Sequence, residues 1–115
     1  QEVYLINQVL YLKQGKLMLK VNHYFEGNVA SIGFQTATLP ATVGVMKIGE
    51  YEFGTSQFET MTVISGEIQA KLPDSDTPDA WQSFKQGDSF TINANRKFSV
   101  KIPVETAYLC TYEDK

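Results

Sequence analysis

Short segments in which apolar and polar residues alternate dominate the chain, and turn residues separate these segments. Three of them place apolar side chains at every second position: Ala30, Ile32 and Phe34; Ile68, Ala70 and Leu72; and Phe98, Val100 and Ile102. Because successive side chains of a strand point to opposite faces, each predicts a strand with its apolar face inward and its other face wet. Strand-favouring residues fill four further segments, which are Thr42–Ile48, Tyr51–Thr55, Thr60–Ile64 and Thr106–Tyr112.

The sequence also indicates where these segments end. At Ser65–Gly66 the apolar residues switch from one set of alternate positions to the other, which predicts a bulge or a turn there. Residues 73–79 form an acidic stretch with two prolines, which predicts a loop. About eight short strands with no convincing amphipathic helix favour an all-β sandwich or closed barrel.

Length and charge exclude several classes of protein. A chain of 115 residues fits one domain and can bury a core without disulfide or metal cross-links. The net charge is −3 and there is no run of basic residues, so we expect no nucleic-acid polymer as a partner. We also expect no membrane partner, because no signal-peptide pattern and no apolar stretch of bilayer-spanning length is present. The single cysteine, Cys110, is compatible with a reducing cytoplasm, which is the location we expect.

Residues 1–17 differ from the rest because the alternation weakens there. We interpret them as an N-terminal extension, for which an extra edge strand and a flexible leader are equally good readings. Residues 18–115 are then the folded domain.

Two stretches resemble the paired motifs of the cupin barrel. The first is Gly49–Gly66, in which Glu59 and Gly66 keep the Glu-x6-Gly spacing of the first motif. The second is Gly87–Val100. The resemblance implies that residues 18–115 form a single cupin-type β-barrel, that is, a jelly-roll-like double-stranded β-helix.

The metal-binding histidines of these motifs are absent. Phe53 and Thr55 stand where the first motif has its histidines, with Glu52 and Gly54 in the alternative register, and Phe98 stands where the second motif has its histidine. A mononuclear site of this kind needs two or three imidazoles and a carboxylate, whereas the only histidine, His23, lies outside both motifs. We therefore expect no metal and no cofactor, and metal-dependent cupin chemistry is disfavoured.

Several phrases together resemble the small pyrimidine/purine nucleoside phosphorylases. They are NHYFEGNVASIGF (22–34), TVGVM (42–46), GEYEF (49–53), ETMTVISG (59–66) and YLCTY (108–112). The resemblance implies a pentosyltransferase that takes a nucleoside and inorganic phosphate to a free base and pentose 1-phosphate. It also implies broad base specificity and a reaction that needs no metal.

Glu59 is the predicted catalytic residue, because a carboxylate can accept hydrogen bonds from ribose hydroxyls or offset positive charge on the sugar ring. Phe53, Met61 and Phe98 are predicted to line the same cavity, where aromatic faces stack on different bases. Ordinary core packing is the competing explanation for these three. Thr55 and Tyr51 are predicted to offer hydroxyls to the substrate, and Tyr24 and Tyr108 are further candidates. The competing explanations are a hydrogen bond to nearby backbone for Thr55 and half-buried packing for the tyrosines.

Arg96, the only arginine, is the predicted phosphate ligand, because its planar fork binds phosphate in a bidentate manner. A solvated surface charge is the competing interpretation. We expect a homodimer, since open sheet edges invite pairing. The alternative function is that of a non-enzymatic degenerate cupin that binds a nucleoside or a sugar.

Overall fold

The computed structural model describes residues 3–6, 9–12 and 15–115, with the surroundings of side chains described from Leu19 onward. The described residues form β-strands and one short 3-10 turn at Phe25–Gly27. The strands are β1 (Val3–Ile6), β2 (Val9–Leu12), β3 (Gly15–Leu19), β4 (Val21–Tyr24), β5 (Val29–Gln35), β6 (Pro40–Met46), β7 (Gly49–Gly54), β8 (Phe58–Ser65), β9 (Glu67–Lys71), β10 (Gln82–Lys85), β11 (Ser89–Ile92), β12 (Lys97–Ile102) and β13 (Thr106–Glu113).

These strands pair in three sheets. One sheet has the order β1-β2-β3, a four-stranded sheet has the order β10-β9-β12-β7, and a six-stranded sheet has the order β11-β8-β13-β6-β5-β4. The predicted all-β class is confirmed. The predicted boundary between residues 17 and 18 falls inside β3, and the division of the chain there stays a prediction. Within the described residues, no helix has the length and apolar character needed to cross a membrane.

The four-stranded and six-stranded sheets share one apolar core. Ile68 and Ala70 of β9 and Val100 of β12 are buried in it together with Met61 and Val63 of β8. The alternation predicted for β9 and β12 is therefore confirmed, since their apolar residues face inward and their polar residues do not. Burying these side chains supplies most of the favourable free energy of folding.

The orientation predicted for β5 is wrong. Its buried residues are Val29, Ser31 and Gly33, whereas Ile32 is 39% exposed. The apolar set of this strand thus lies on the outer face of the sheet. The reason is the space needed by Tyr108, whose hydroxyl would lie 2.6 Å from a Cβ built on Gly44 in the neighbouring strand β6. The inner face is therefore small and polar where Ser31 pairs with Gly44, whereas the pair Val29 and Met46 on the same face is apolar and buried.

The predicted breaks are confirmed. Gly66 separates β8 from β9 with a φ of 102°, a left-handed conformation that glycine adopts without a steric penalty. The acidic stretch 73–79 lies in the loop between β9 and β10. This loop matters for the site, because it carries Asp74 to the rim near β12.

Candidate functional site

A cavity of about 170 Å³ lies between the two larger sheets, and we call it the inner cavity. Four of the predicted site residues line it together, namely Phe53 of β7, Glu59 and Met61 of β8, and Phe98 of β12. The six-stranded sheet adds a polar set to the wall, consisting of Ser31, Thr42, Tyr108, Cys110 and Tyr112. A carboxylate, hydroxyls and aromatic rings thus line one cavity.

Strand pairing fixes the position of Glu59. It lies opposite Tyr112 of β13 on one side and Ile92 of β11 on the other. Burial raises the pKa of the Glu59 carboxyl above its ordinary value, and a hydrogen bond from the Cys110 thiol to Oε1, at 3.4 Å, acts in the opposite direction. The charged form of Glu59 is therefore short of partners, and a ligand that donates hydrogen bonds would stabilise it.

The neighbouring acidic groups stay neutral. Burial raises the pKa of the Cys110 thiol far above its ordinary value, so the group is a hydrogen-bond donor rather than a thiolate nucleophile. Burial raises the pKa of Tyr108 to about 12, against the opposing effect of the Ser31 side chain. Burial likewise raises the pKa of Tyr112, whose hydroxyl lies 2.9 Å from Oγ1 of Thr42. The wall therefore offers neutral hydroxyls that can both donate and accept.

Aromatic rings form the opposite side of the inner cavity. The centroids of Phe53 and Phe98 are 5.7 Å apart, and Phe25 meets Phe53 edge-on at 5.4 Å. Tyr51 lies behind Phe53, where its hydroxyl donates to the carbonyl of Lys47 at 2.7 Å. The structure thus places Tyr51 outside the lining of the cavity, in a position that supports Phe53.

Thr55 and Arg96 belong to a turn at the rim. The Thr55 hydroxyl donates to the carbonyl of Asn93 at 2.6 Å and accepts from the backbone N–H of Arg96 at 3.0 Å. The Nε of Arg96 lies 3.1 Å from both carboxylate oxygens of Asp74. Neither Thr55 nor Arg96 lines the inner cavity, although Lys97, the residue after Arg96, pairs with the cavity residue Gly54.

Four polar wall residues were absent from the predicted set: Ser31, Thr42, Tyr112 and Cys110. The available signal was the spacing of Tyr108, Cys110 and Tyr112, which puts all three on one face of β13. Within the described residues, no group of three or more His, Cys, Asp or Glu side chains is arranged to hold a metal ion.

A wider groove of about 520 Å³ adjoins the inner cavity, and we call it the outer groove. The two share the wall residues Tyr24, Thr42 and Tyr112. The ends of β4, β5 and β6 and the segment 56–57 form the outer groove, whose polar lining includes the carboxamides of Asn22, Gln35 and Gln57.

Comparison with known sequences identifies one family. A family model described as pyrimidine/purine nucleoside phosphorylase matches residues 19–112. Pyrimidine/purine nucleoside phosphorylase 2 of Psychrobacter cryohalolentis is 66% identical over 95 residues, which cover 83% of this chain and 98% of the relative. The pyrimidine/purine nucleoside phosphorylase of Hahella chejuensis is 63% identical over 95 residues, which cover 83% of this chain and 99% of the relative.

Comparison with solved structures agrees on the fold. A protein of unknown function from Vibrio parahaemolyticus is 39% identical, with a TM-score of 0.74 over 82% of this chain and 97% of that one. An RmlC-like cupin from Shewanella frigidimarina is 16% identical, with a TM-score of 0.64 over 84% of each chain, and it shows likeness of fold alone. The predicted cupin fold is confirmed. Within the described residues, the four-stranded and six-stranded sheets face each other, and no strand pairing joins them into a closed barrel.

Proposed function

Because the chain belongs to the pyrimidine/purine nucleoside phosphorylase family, we propose that it transfers the pentose of purine and pyrimidine nucleosides to inorganic phosphate. The products are the free base and pentose 1-phosphate. The observation that carries the proposal is the family match over residues 19–112, which include every wall residue of the inner cavity.

The reaction breaks the bond between C1′ and the base nitrogen and forms a bond between C1′ and a phosphate oxygen. The base leaves with the bonding electron pair, and the proton of hydrogen phosphate ends on the base. Positive charge develops on the sugar ring in between, as it does in glycoside cleavage. The carboxylate of Glu59 offsets that charge and accepts hydrogen bonds from the sugar hydroxyls, and the low polarity around it strengthens both effects.

We propose Phe53, Met61 and Phe98 as substrate contacts, because they line the cavity that holds Glu59. The hydroxyls of Ser31, Thr42, Tyr108 and Tyr112 are further partners for the sugar, since each is neutral and can donate or accept. The predicted contacts of Thr55 and Tyr51 with the substrate stay predictions. Their hydroxyls bond to backbone groups that shape the rim and the aromatic side of the cavity.

Arg96 remains our proposed phosphate ligand. Its side chain is 47% exposed, and it precedes the residue that pairs with Gly54 on the cavity wall. Phosphate would then approach from the side of β7 and β12, and it would compete with Asp74 for the guanidinium group.

We also propose a homodimer that acts in the cytoplasm. Val21, Ile32 and Val43 lie opposite one another across β4, β5 and β6 on the outer face, and each is between 38% and 48% exposed. A row without charge can meet the same row of a second copy about a twofold axis. The measurement is the mass in solution at micromolar concentration. A monomer mass for the native chain would contradict the dimer, and a Val43→Lys variant should be monomeric.

The test of the activity is incubation of the purified protein with inosine, adenosine, uridine and cytidine, with and without phosphate. Release of free base that depends on phosphate is the expected result. Release without phosphate would identify a hydrolase, and no release under either condition would favour a binding protein. A Glu59→Ala protein purified in parallel controls for contaminating enzymes.

A further inference from the structure

The inner cavity is too small for a whole nucleoside. Its volume of about 170 Å³ lies below the roughly 300 Å³ at which ligand pockets for small molecules usually begin. The outer groove is about 520 Å³ and shares Tyr24, Thr42 and Tyr112 with it. A nucleoside that reaches Glu59 must therefore extend into the outer groove.

The two spaces differ in chemistry. The inner cavity contains the carboxyl of Glu59 and a wall of hydroxyls, which suit a sugar with several hydroxyl groups. Within the described part of the chain, no Lys, Arg, Asp or Glu side chain lines the outer groove. Its wall combines three aromatic rings, those of Tyr24, Phe34 and Tyr112, with carboxamides and the hydroxyls of Thr42 and Ser56. An uncharged groove with ring faces suits a neutral, planar ligand.

The carboxamides have capacity left for a ligand. Nε2 of Gln57 donates to Oδ1 of Asp114 at 3.0 Å, and Nε2 of Gln35 donates to the carbonyl of Thr36 at 3.1 Å. Each amide retains its carbonyl oxygen and a second N–H, because a carboxamide has two donors and two acceptor lone pairs. Both bonds are at exposed positions, so the side chains can also turn toward the groove.

We propose, on the basis of the phosphorylase activity above, that the outer groove holds the base while the inner cavity holds the pentose. The carboxamides of Asn22, Gln35 and Gln57 are the groups that contact the edge of the base. A carboxamide presents a donor beside an acceptor, so it can pair with amino and keto edges alike. The groove therefore accepts purines and pyrimidines, and Phe53 and Phe98 contact the pentose rather than the base.

The test separates the base from the sugar. Equilibrium binding of uracil, hypoxanthine and ribose 1-phosphate is measured separately for the native protein and for the Gln57→Leu and Gln35→Leu variants. We expect the Kd of both bases to rise roughly two- to tenfold in each variant, the loss that one neutral hydrogen bond represents. The Kd of ribose 1-phosphate should not change. Gln82→Leu, on β10 and away from the outer groove, is the matched control and should change neither.

The outcomes distinguish this placement from the activity itself. Unchanged base affinity in both groove variants, with the native protein active, overturns the placement and leaves phosphorolysis intact. A rise in the Kd of ribose 1-phosphate without a change for the bases also overturns it. Weaker base binding in the variants of a protein that turns over no nucleoside supports the placement and refutes phosphorolysis. Because Gln35 is exposed, its variant should fold even if Gln57→Leu does not.

Discussion

The thiol of Cys110 donates a hydrogen bond to Oε1 of Glu59 at 3.4 Å, from the strand that pairs directly with the strand of Glu59. The thiol is one hydrogen-bond partner of the Glu59 carboxyl, whose hydration is reduced by burial. Because a hydrogen bond to the charged form favours ionisation and burial disfavours it, the pair sets how readily Glu59 carries its charge.

Replacing Glu59 by Gln should abolish most of the activity. The amide keeps the shape of the side chain but cannot offset positive charge on the sugar ring. We expect kcat to fall by roughly a hundredfold or more, as for loss of a group aimed at transition-state charge. The measurement is phosphate-dependent release of uracil from uridine. Glu52→Gln, an exposed glutamate of β7, is the matched control and should retain native activity.

The acidic limb of the pH–activity profile should lie above the ordinary glutamate pKa of about 4.3. Activity needs ionised Glu59, and burial raises its pKa. In a Cys110→Ala protein the hydrogen bond that lowers this pKa is gone, so the limb should move to higher pH. The profile of kcat from pH 4 to pH 8 measures both effects. A limb that moves to lower pH in Cys110→Ala would contradict this account of the pair.

Glu59 should also lower stability at neutral pH. Its pKa is higher in the folded chain than in the unfolded one, so the folded state binds the proton more tightly. Stability is then greatest below the unfolded pKa and decreases as pH rises through the folded pKa. We expect Glu59→Gln to have a higher Tm than the native protein at pH 7, and the difference to vanish in acid. A Tm difference that is the same at both pH values would refute a role for ionisation.

Gly44→Ala should destabilise the fold. The added Cβ would lie 2.6 Å from the Tyr108 hydroxyl and 2.7 Å from the carbonyl oxygen of Ala30, so the strands must move. A cost of about 1–3 kcal/mol is typical of such overpacking. Urea unfolding measures it. In the control Gly54→Ala, the new Cβ would have its nearest neighbour at 4.0 Å, and stability should change little.

If Arg96 binds phosphate, Arg96→Ala should raise the KM for phosphate roughly tenfold or more, the loss expected for charge-assisted hydrogen bonds. Asp74→Ala should lower that KM, because Asp74 competes for the same guanidinium group. Lys101→Ala controls for the general loss of a positive charge, since Lys101 pairs with Glu50 elsewhere on the surface. An unchanged KM for phosphate in Arg96→Ala would identify Arg96 as a purely structural residue of the rim.

Much of the site follows from local pattern. Period-two alternation fixes which residues of β9 and β12 face inward, and the spacing of the first motif puts Glu59 and Met61 on one face of β8. The position of Phe98 in the second motif then predicts that it joins them. These inferences succeed because successive side chains of a strand alternate between its two faces, whatever the rest of the chain does.

Other features depend on contacts between distant segments. The Asp74 partner of Arg96 comes from a loop 22 residues earlier in the chain, and no local pattern predicts that approach. The inner face of β5 is set by Tyr108 on β13, which overrides the apolar pattern of the strand itself. The outer groove likewise combines the ends of three strands with residues 56–57. Because these segments are distant in the sequence, no local pattern predicts that they form one groove.

The outward apolar face of β5 makes a folding hazard. A slip of one residue against β4 and β6 would turn Ala30, Ile32 and Phe34 inward and Ser31 outward. Such a mispaired chain buries more apolar surface at that strand and loses the polar wall of the inner cavity. It is therefore a kinetic trap that competes with folding to the native state. The fit between Gly44 and Tyr108 discriminates against it, since the tyrosine ring occupies space that the mispaired side chains would need. The polar inner face of β5 thus serves the cavity, whereas its apolar outer face favours a wrong register during folding.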